Sequence, residues 1–171
     1  MKRKDFTIVF SGLNLGEHQF TYELDDTFFD LFEYSDHKNL KGVVDVTLNK
    51  HNTFLEFTFS LNGSVEVICD RTGLSFSQKL DNKFDLLVKF GDEYNDEDDE
   101  QLILTHGDYQ VNIAQYLYEL VVLSIPQKHI HPDVLSGKII PEYEAQDEIE
   151  LEEKKEDDID PRWDKLKNLL N

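Results

Sequence analysis

The chain contains few of the residues that staple or interrupt a fold, with one cysteine, one tryptophan and four prolines among 171 residues. Because Cys69 is alone, no disulfide can form within the chain, and a reducing cytoplasm is the expected location. The longest uninterrupted apolar run, residues 120–123, is far too short to cross a bilayer, so we expect no membrane segment. The apolar stretch 8–10 behind the basic N-terminus is also too short for a signal peptide.

The sequence motifs of common enzyme classes are missing as well. There is no glycine-rich phosphate loop, no Gly-x-Ser-x-Gly turn, no His-Glu-x-x-His and no Cys-x-x-Cys pair. Cys69 shares strand parity with Val65 and Val67, and a thiol buried in apolar surroundings has a raised pKa and is inert. His129 and His131 could bind zinc together with Cys69, but structural zinc sites need four ligands, usually including a cysteine pair. We therefore predict no catalysis, no cofactor and no metal.

Negative charge is plentiful but unevenly placed. The formal net charge is -19, and residues 92–100 hold seven acids and no base. Residues 142–160 hold eleven acids against two lysines, which leaves the remainder of the chain nearly neutral. Such a field repels phosphate and disfavours tight direct binding to RNA. Acidic segments of this kind are typical either of solvated loops or of a surface that attracts a basic partner, such as a ribosomal protein tail.

Hydrophobicity alternates with a period of two from about residue 40 to residue 90, which predicts five consecutive strands. Turn-forming residues separate them, so neighbouring strands should pair antiparallel. The predicted turns lie at 49–52, 62–63, 71–73 and 81–82. We also expect strands at 6–10, 20–24 and 101–105 and a helical turn at 27–32.

The period becomes helical after residue 112. Asn112 suits the N-cap, Gln115 follows three residues later, and Pro126 ends the segment. Because this helix is apolar nearly all round in its C-terminal half, it should pack across the sheet. We predict an α+β fold with a curved antiparallel sheet or partly open barrel and one long packed helix. The chain then divides into a domain at 1–141, an acidic linker at 142–159 and a C-terminal amphipathic helix at 160–171.

The C-terminal helix is predicted from its cap and its apolar face. Asp160 suits the N-cap, Pro161 suits the first helical position, and Trp163, Leu166 and Leu170 share one face. An isolated helix of about ten residues is marginal in water. It should therefore fold only against its own domain or against a partner, and both alternatives stay open.

Three segments occur in an order that matches a known family. They are Cys69-Asp70-Arg71 after a strand, the helix Asn112 to Leu123 running into Ser124-Ile125-Pro126 and His131, and Asp160-Pro161-Arg162 followed by Leu166, Leu169 and Leu170. Together they resemble the YceD family, the large-ribosomal-RNA accumulation proteins of bacteria and plastids. Many members carry a second cysteine after the Cys-Asp-Arg step and a further pair after the proline-rich step, which would suggest zinc. Here Thr72 occupies the first of these places, and no cysteine follows Pro126.

The resemblance implies a non-enzymatic ribosome-biogenesis factor that supports synthesis or accumulation of 23S (large-subunit) rRNA. The alternative is an acidic chaperone or binding module for one basic ribosomal protein. The partner is then a large-subunit ribosomal precursor or that basic protein, with direct RNA contact left open. The candidate partner-binding residues are Asp70, Arg71, Asp160, Pro161, Arg162, Trp163, Leu166 and Leu170.

Overall fold

The chain forms two compact units in the computed structural model, which describes residues 2–32 and 38–140. The first, here called the sheet unit, comprises residues 1–68 and 75–129. The second, the loop unit, comprises residues 69–74 and, among the described residues, 130–140. The predicted linker at 142–159 and the C-terminal helix at 160–171 lie outside the described residues.

Strands dominate the sheet unit. In chain order they are β1 (Thr7–Val9), β2 (Gly16–Asp25), β3 (Lys38–Lys50), β4 (Phe54–Ile68), β5 (Ser75–Gly91), β6 (Asn95–Asp98), β7 (Gln101–Thr105) and β8 (Gln110–Asn112). Six of them form one sheet in the order β2-β3-β4-β5-β7-β6, and β1 pairs with β8 in a second, two-stranded sheet. The larger sheet is not closed. All its pairs are antiparallel except β5 with β7, which is parallel and was not predicted.

The prediction of five short strands between residues 40 and 90 is wrong, because the structure has three long ones. Asn62-Gly63 and Asp81-Asn82 are not turns. They face each other in the middle of the β4–β5 pair, with Asn62 opposite Asp81. The alternation of buried and exposed side chains continues through both positions, as a single strand requires. The predicted turns near residues 49–52 and 71–73 are confirmed, since they separate β3 from β4 and β4 from β5.

Gly63 lies where two long strands approach closely. A Cβ at this position would come within 2.5 Å of the carbonyl oxygen of Lys41 and 2.7 Å of the Cα of Gly42. Gly42 and Gly63 are cross-strand partners in the β3–β4 pair. The glycine that suggested a turn in the sequence is therefore required for the close contact of two backbones.

Among its described residues the sheet unit has two α-helices, α1 (Asp26–Phe29) and α2 (Ala114–Leu123), and a 3₁₀ helix at Arg3–Phe6. α2 has ten residues and buries one face, and the ring of Tyr116 stacks on Phe84 with centroids 6.2 Å apart. The N-cap of α2 is Ile113, not Asn112. Asn112 ends β8 and still accepts a hydrogen bond from the backbone N–H of Ala114 at 3.1 Å. The helix thus begins one residue later than predicted, and Asn112 belongs to the strand that pairs with β1.

The acidic segment 92–100 is partly ordered as strand rather than wholly a loop. Its central residues form β6, whose side chains are all exposed and which lies at an edge of the larger sheet. Strand β7, predicted at 101–105, is confirmed and pairs with β6. Charged side chains on an edge strand discourage pairing with another chain.

Within residues 2–32 and 38–140, no helix combines the length and apolarity needed to cross a membrane.

Candidate partner-binding site

The loop from Cys69 to Leu74 connects β4 to β5 and carries the two predicted partner-binding residues that the structure describes. The backbone N–H of Cys69 donates to the carbonyl of Leu74 at 2.9 Å, and the N–H of Gly73 donates to the carbonyl of Cys69 at 2.9 Å. Gly73 has a φ of 69°, a left-handed conformation that glycine adopts without steric cost. The loop is therefore closed by its own backbone, and Asp70 and Arg71 lie exposed at its tip.

The thiol of Cys69 lies at the base of this loop and is 1 % exposed. The backbone N–H of His131 donates a hydrogen bond to its sulfur at 3.3 Å. Burial raises the pKa of this thiol, but hydrogen bonds from the Thr72 hydroxyl and from the backbone N–H groups of His131, Arg71 and Thr72 outweigh it and lower the pKa to about 7. The predicted burial of Cys69 is confirmed. The predicted raised pKa is wrong, because donors surround the sulfur.

His131 has a structural role at the start of α3 (Pro132–Leu135) in the loop unit. Its Nδ1 accepts a hydrogen bond from the backbone N–H of Asp133 at 3.1 Å, which caps the helix, and Pro132 occupies a first-turn position. Lys138 forms an ion pair with Asp133 at 3.2 Å.

No group of three or more metal-ligating side chains occurs in the part of the chain that the structure describes. His129 belongs to the sheet unit and His131 to the loop unit.

The remaining predicted partner-binding residues are not described. Asp160, Pro161, Arg162, Trp163, Leu166 and Leu170 all lie beyond residue 140, outside the described residues. The structure thus places Asp70 and Arg71 together on one loop and leaves the C-terminal element as a prediction.

A concave surface beside α2 was not predicted from the sequence. Two adjoining cavities of about 600 and 210 Å³ share Asp99, Tyr116 and Glu119 as lining residues. We call this surface the α2 groove; it is also lined by Phe84, Tyr94, Asp96, Asp98, Leu102, Leu104, Asp108, Leu120 and Leu123. The run of acids at 92–100 predicts that some surface is negatively charged. No local sequence pattern predicts that β6 lies next to α2.

These features define a mixed α+β protein, mostly strand, with an exposed closed loop and an acid-lined groove. The family comparison agrees with the sequence resemblance. The model of the family described as large ribosomal RNA subunit accumulation protein YceD matches residues 57–170. The chain belongs to the YceD family. No curated protein and no solved structure matches it significantly.

Proposed function

We propose that this protein is a non-enzymatic ribosome-biogenesis factor that supports accumulation of 23S (large-subunit) rRNA in the cytoplasm. The observation that carries the proposal is the family match, which spans residues 57–170 and thus both the Cys69–Leu74 loop and the C-terminal element. The family is described by the accumulation of an RNA rather than by a reaction. A large-subunit ribosomal precursor is therefore the proposed partner.

Contact with the precursor is proposed to run through the exposed loop and the C-terminal residues. Asp70 and Arg71 lie on a loop that is closed by backbone hydrogen bonds, so their presentation costs little conformational entropy on binding. The net charge of -19 opposes contact with bare phosphate. A protein surface of the precursor, rather than its RNA backbone, is accordingly the proposed point of contact.

Depletion of the protein from its cells tests this role. We expect the ratio of large-subunit to small-subunit rRNA to fall and to recover when the protein is restored, and we expect the protein to co-sediment with large-subunit precursors on a sucrose gradient. An unchanged ratio, with the protein remaining at the top of the gradient, would contradict the proposal.

A pair of double variants tests the loop. Asp70→Asn with Arg71→Gln should weaken co-sedimentation. The matched control is Lys79→Gln with Asp81→Asn, an exposed ion pair on β5 with a 3.0 Å separation, which removes one charge of each sign elsewhere. Equal co-sedimentation of both variants would remove the loop from the proposed interface.

An acidic binding module for one basic ribosomal protein is the second candidate. The α2 groove favours it, because five carboxylates line its larger cavity and no basic side chain does. Capture from lysate separates the two functions. Recovery of ribosomal particles supports the first, and recovery of a single free basic protein supports the second.

A further inference from the structure

The α2 groove has an apolar floor. The Tyr116 ring, half-buried, stacks on Phe84 at an interplanar angle of 17°, and Leu102 and Leu104 are buried beneath the larger cavity. At the end of the smaller cavity Leu123 is 78 % exposed, the largest exposed fraction among the large apolar side chains described. An apolar side chain of this exposure beside a cavity is a surface that a partner can cover.

The rim of the groove is acidic. Asp96, Asp98, Asp99, Asp108 and Glu119 line the larger cavity, and the smaller cavity adds one base, Lys83. The negative charge is thus concentrated around a concavity instead of being spread over a flat face. Low-dielectric walls of a cleft focus such a field.

Neutral donors hold several of these carboxylates in place. Asp108 accepts from the backbone N–H and the hydroxyl of Thr105 at 2.8 and 2.9 Å. The Tyr94 hydroxyl donates to Asp96 at 3.0 Å, and Gln115 donates to Glu119 at 2.7 Å. Because these donors carry no charge, they orient the carboxylates without cancelling their field. The rim is therefore ordered before a ligand arrives, which lowers the entropic cost of binding.

The pKa of Tyr116 is raised mainly by burial and to a lesser degree by the acidic groups around it. Burial, followed by negative charge on Tyr94, Asp96 and Glu119, raises the pKa of Tyr116 to about 12. Only the smaller, electrostatic part of this shift has a sign, and that sign agrees with the acidic residues that line the groove.

We propose that the α2 groove binds a cationic segment of a protein partner, with Lys or Arg side chains against the acidic rim and an apolar side chain against Tyr116 and Leu123. The inference rests on the proposed function, because it names the class of protein surface that the factor contacts. RNA does not fit, since its phosphates would face five carboxylates. A metal ion does not fit either, since no cluster of three ligands occurs within the described residues.

Binding of a short fluorescein-labelled peptide of arginine and leucine, followed by anisotropy, tests the site on the full chain. The groove variant combines Asp96→Asn, Asp99→Asn and Glu119→Gln. The control combines Glu17→Gln, Glu23→Gln and Asp81→Asn, which removes the same charge from exposed positions of the strands β2 and β5. We expect the groove variant to raise the Kd at least about tenfold and the control to change it by less than about twofold.

The apolar floor has its own test. Leu123→Ser should weaken binding of the peptide severalfold, whereas Leu15→Ser, at a side chain 59 % exposed on the same unit, should not. Replacing arginine by citrulline in the peptide should abolish binding. Leu123 and Leu15 are both exposed, so we expect both variants to fold as the parent does. Melting curves check this.

Several outcomes would overturn the inference. Equal loss in both triple variants would show a long-range field without a site. An unchanged affinity of Leu123→Ser would show that the floor is not used. Tight binding of large-subunit RNA to the chain, in the absence of peptide, that the groove variant weakens would assign the surface to RNA. If any of these occurs while the parent still co-sediments with ribosomal precursors, the groove assignment fails and the proposed function stands. If the peptide binds at the groove but depletion of the protein does not change the rRNA ratio, the groove stands as a binding site and the proposed role in rRNA accumulation fails.

Discussion

The backbone N–H of His131 donates a hydrogen bond to the sulfur of Cys69 at 3.3 Å, although 62 residues separate the two along the chain. The contact connects the Cys69–Leu74 loop with the start of α3 inside the loop unit. Because a hydrogen-bond donor stabilises the thiolate more than the thiol, ionisation of Cys69 is coupled to the folded state of this unit.

That coupling predicts a pH-dependent contribution of Cys69 to stability. The pKa of this thiol is lowered from 9.0 to about 7 in the fold, so its stabilising effect is fully present above about pH 9 and is lost as the pH falls through about 7. The Tm difference between the parent and Cys69→Ser should therefore widen from pH 7 to pH 9. Calorimetric melting at several pH values measures it.

Thr72→Val is the matched variant for this effect. It removes the hydroxyl that lowers the pKa of Cys69 and keeps the side-chain size, so the midpoint of thiolate absorbance in the ultraviolet should move to higher pH. A midpoint that stays in place, or a Tm difference that does not change with pH, would refute the coupling.

Zinc should be absent from the purified protein in stoichiometric amount. Cys69 has no cysteine partner, and Nδ1 of His131 already accepts a hydrogen bond from Asp133. Elemental analysis of protein purified without chelator measures the metal content. One zinc per chain that disappears in Cys69→Ser or His131→Ala would contradict the prediction.

The alternation of apolar and polar residues continues through Asn62-Gly63, which favours one long strand although these two residues are typical of a turn. A two-residue turn at Asn62-Gly63 would place residues 61 and 64 on the same face and switch the buried positions from odd to even numbers. The buried residues instead stay at odd numbers, with Leu61 followed by Val65 and Val67. The fold class and the β-rich character were thus predictable, and the long strands could have been inferred from parity.

Contacts between distant segments were not predictable in the same way. The parallel β5–β7 pair, the β1–β8 pair and the hydrogen bond from His131 to Cys69 join residues that no local periodicity relates. The sequence showed that Cys69 faces inward but could not show which donors meet its sulfur. For that reason the prediction of a raised pKa for Cys69 was wrong.

Gly63→Ala should destabilise the sheet unit. The new Cβ would overlap the carbonyl oxygen of Lys41, a backbone atom that cannot move away as a side chain can. Overpacking of this kind costs typically about 1 to 3 kcal/mol. Gly12→Ala is the control, because nothing lies within 4 Å of its added Cβ. Equal unfolding free energies of the two variants in urea would show that β3 and β4 separate without cost.

Bare RNA should bind weakly. The charge of -19 opposes phosphate, so the affinity that remains should come from exposed lysines such as Lys38 and Lys41 and should fall as salt rises. A gel shift with large-subunit RNA at several salt concentrations measures this, and Lys38→Gln with Lys41→Gln should abolish the residual binding. Tight binding that persists at high salt would point to an RNA-binding surface and would contradict the protein-contact model.

The C-terminal element at 160–171 is predicted to dock on a partner. Segment 142–159 is predicted to be an acidic linker, and a flexible chain of that length would reach roughly 25 Å, which would let the element search beyond its own domain. Deleting 160–171 should leave the Tm nearly unchanged and abolish co-sedimentation with ribosomal precursors. Trp163→Ala should act in the same direction, and Asn168→Ala, off the predicted apolar face, should not.

The alternative is that the C-terminal element packs against the rest of its own chain. Burying Trp163 and two leucines against the rest of the chain would offset the entropy of ordering the segment, and each fully buried large apolar side chain contributes about 1.5 to 3 kcal/mol. Deletion would then lower the Tm by many degrees, while the fraction that stays folded would still co-sediment. That combination would assign Trp163, Leu166 and Leu170 to the core of the protein and leave the α2 groove and the loop residues Asp70 and Arg71 as the remaining candidates for partner contact.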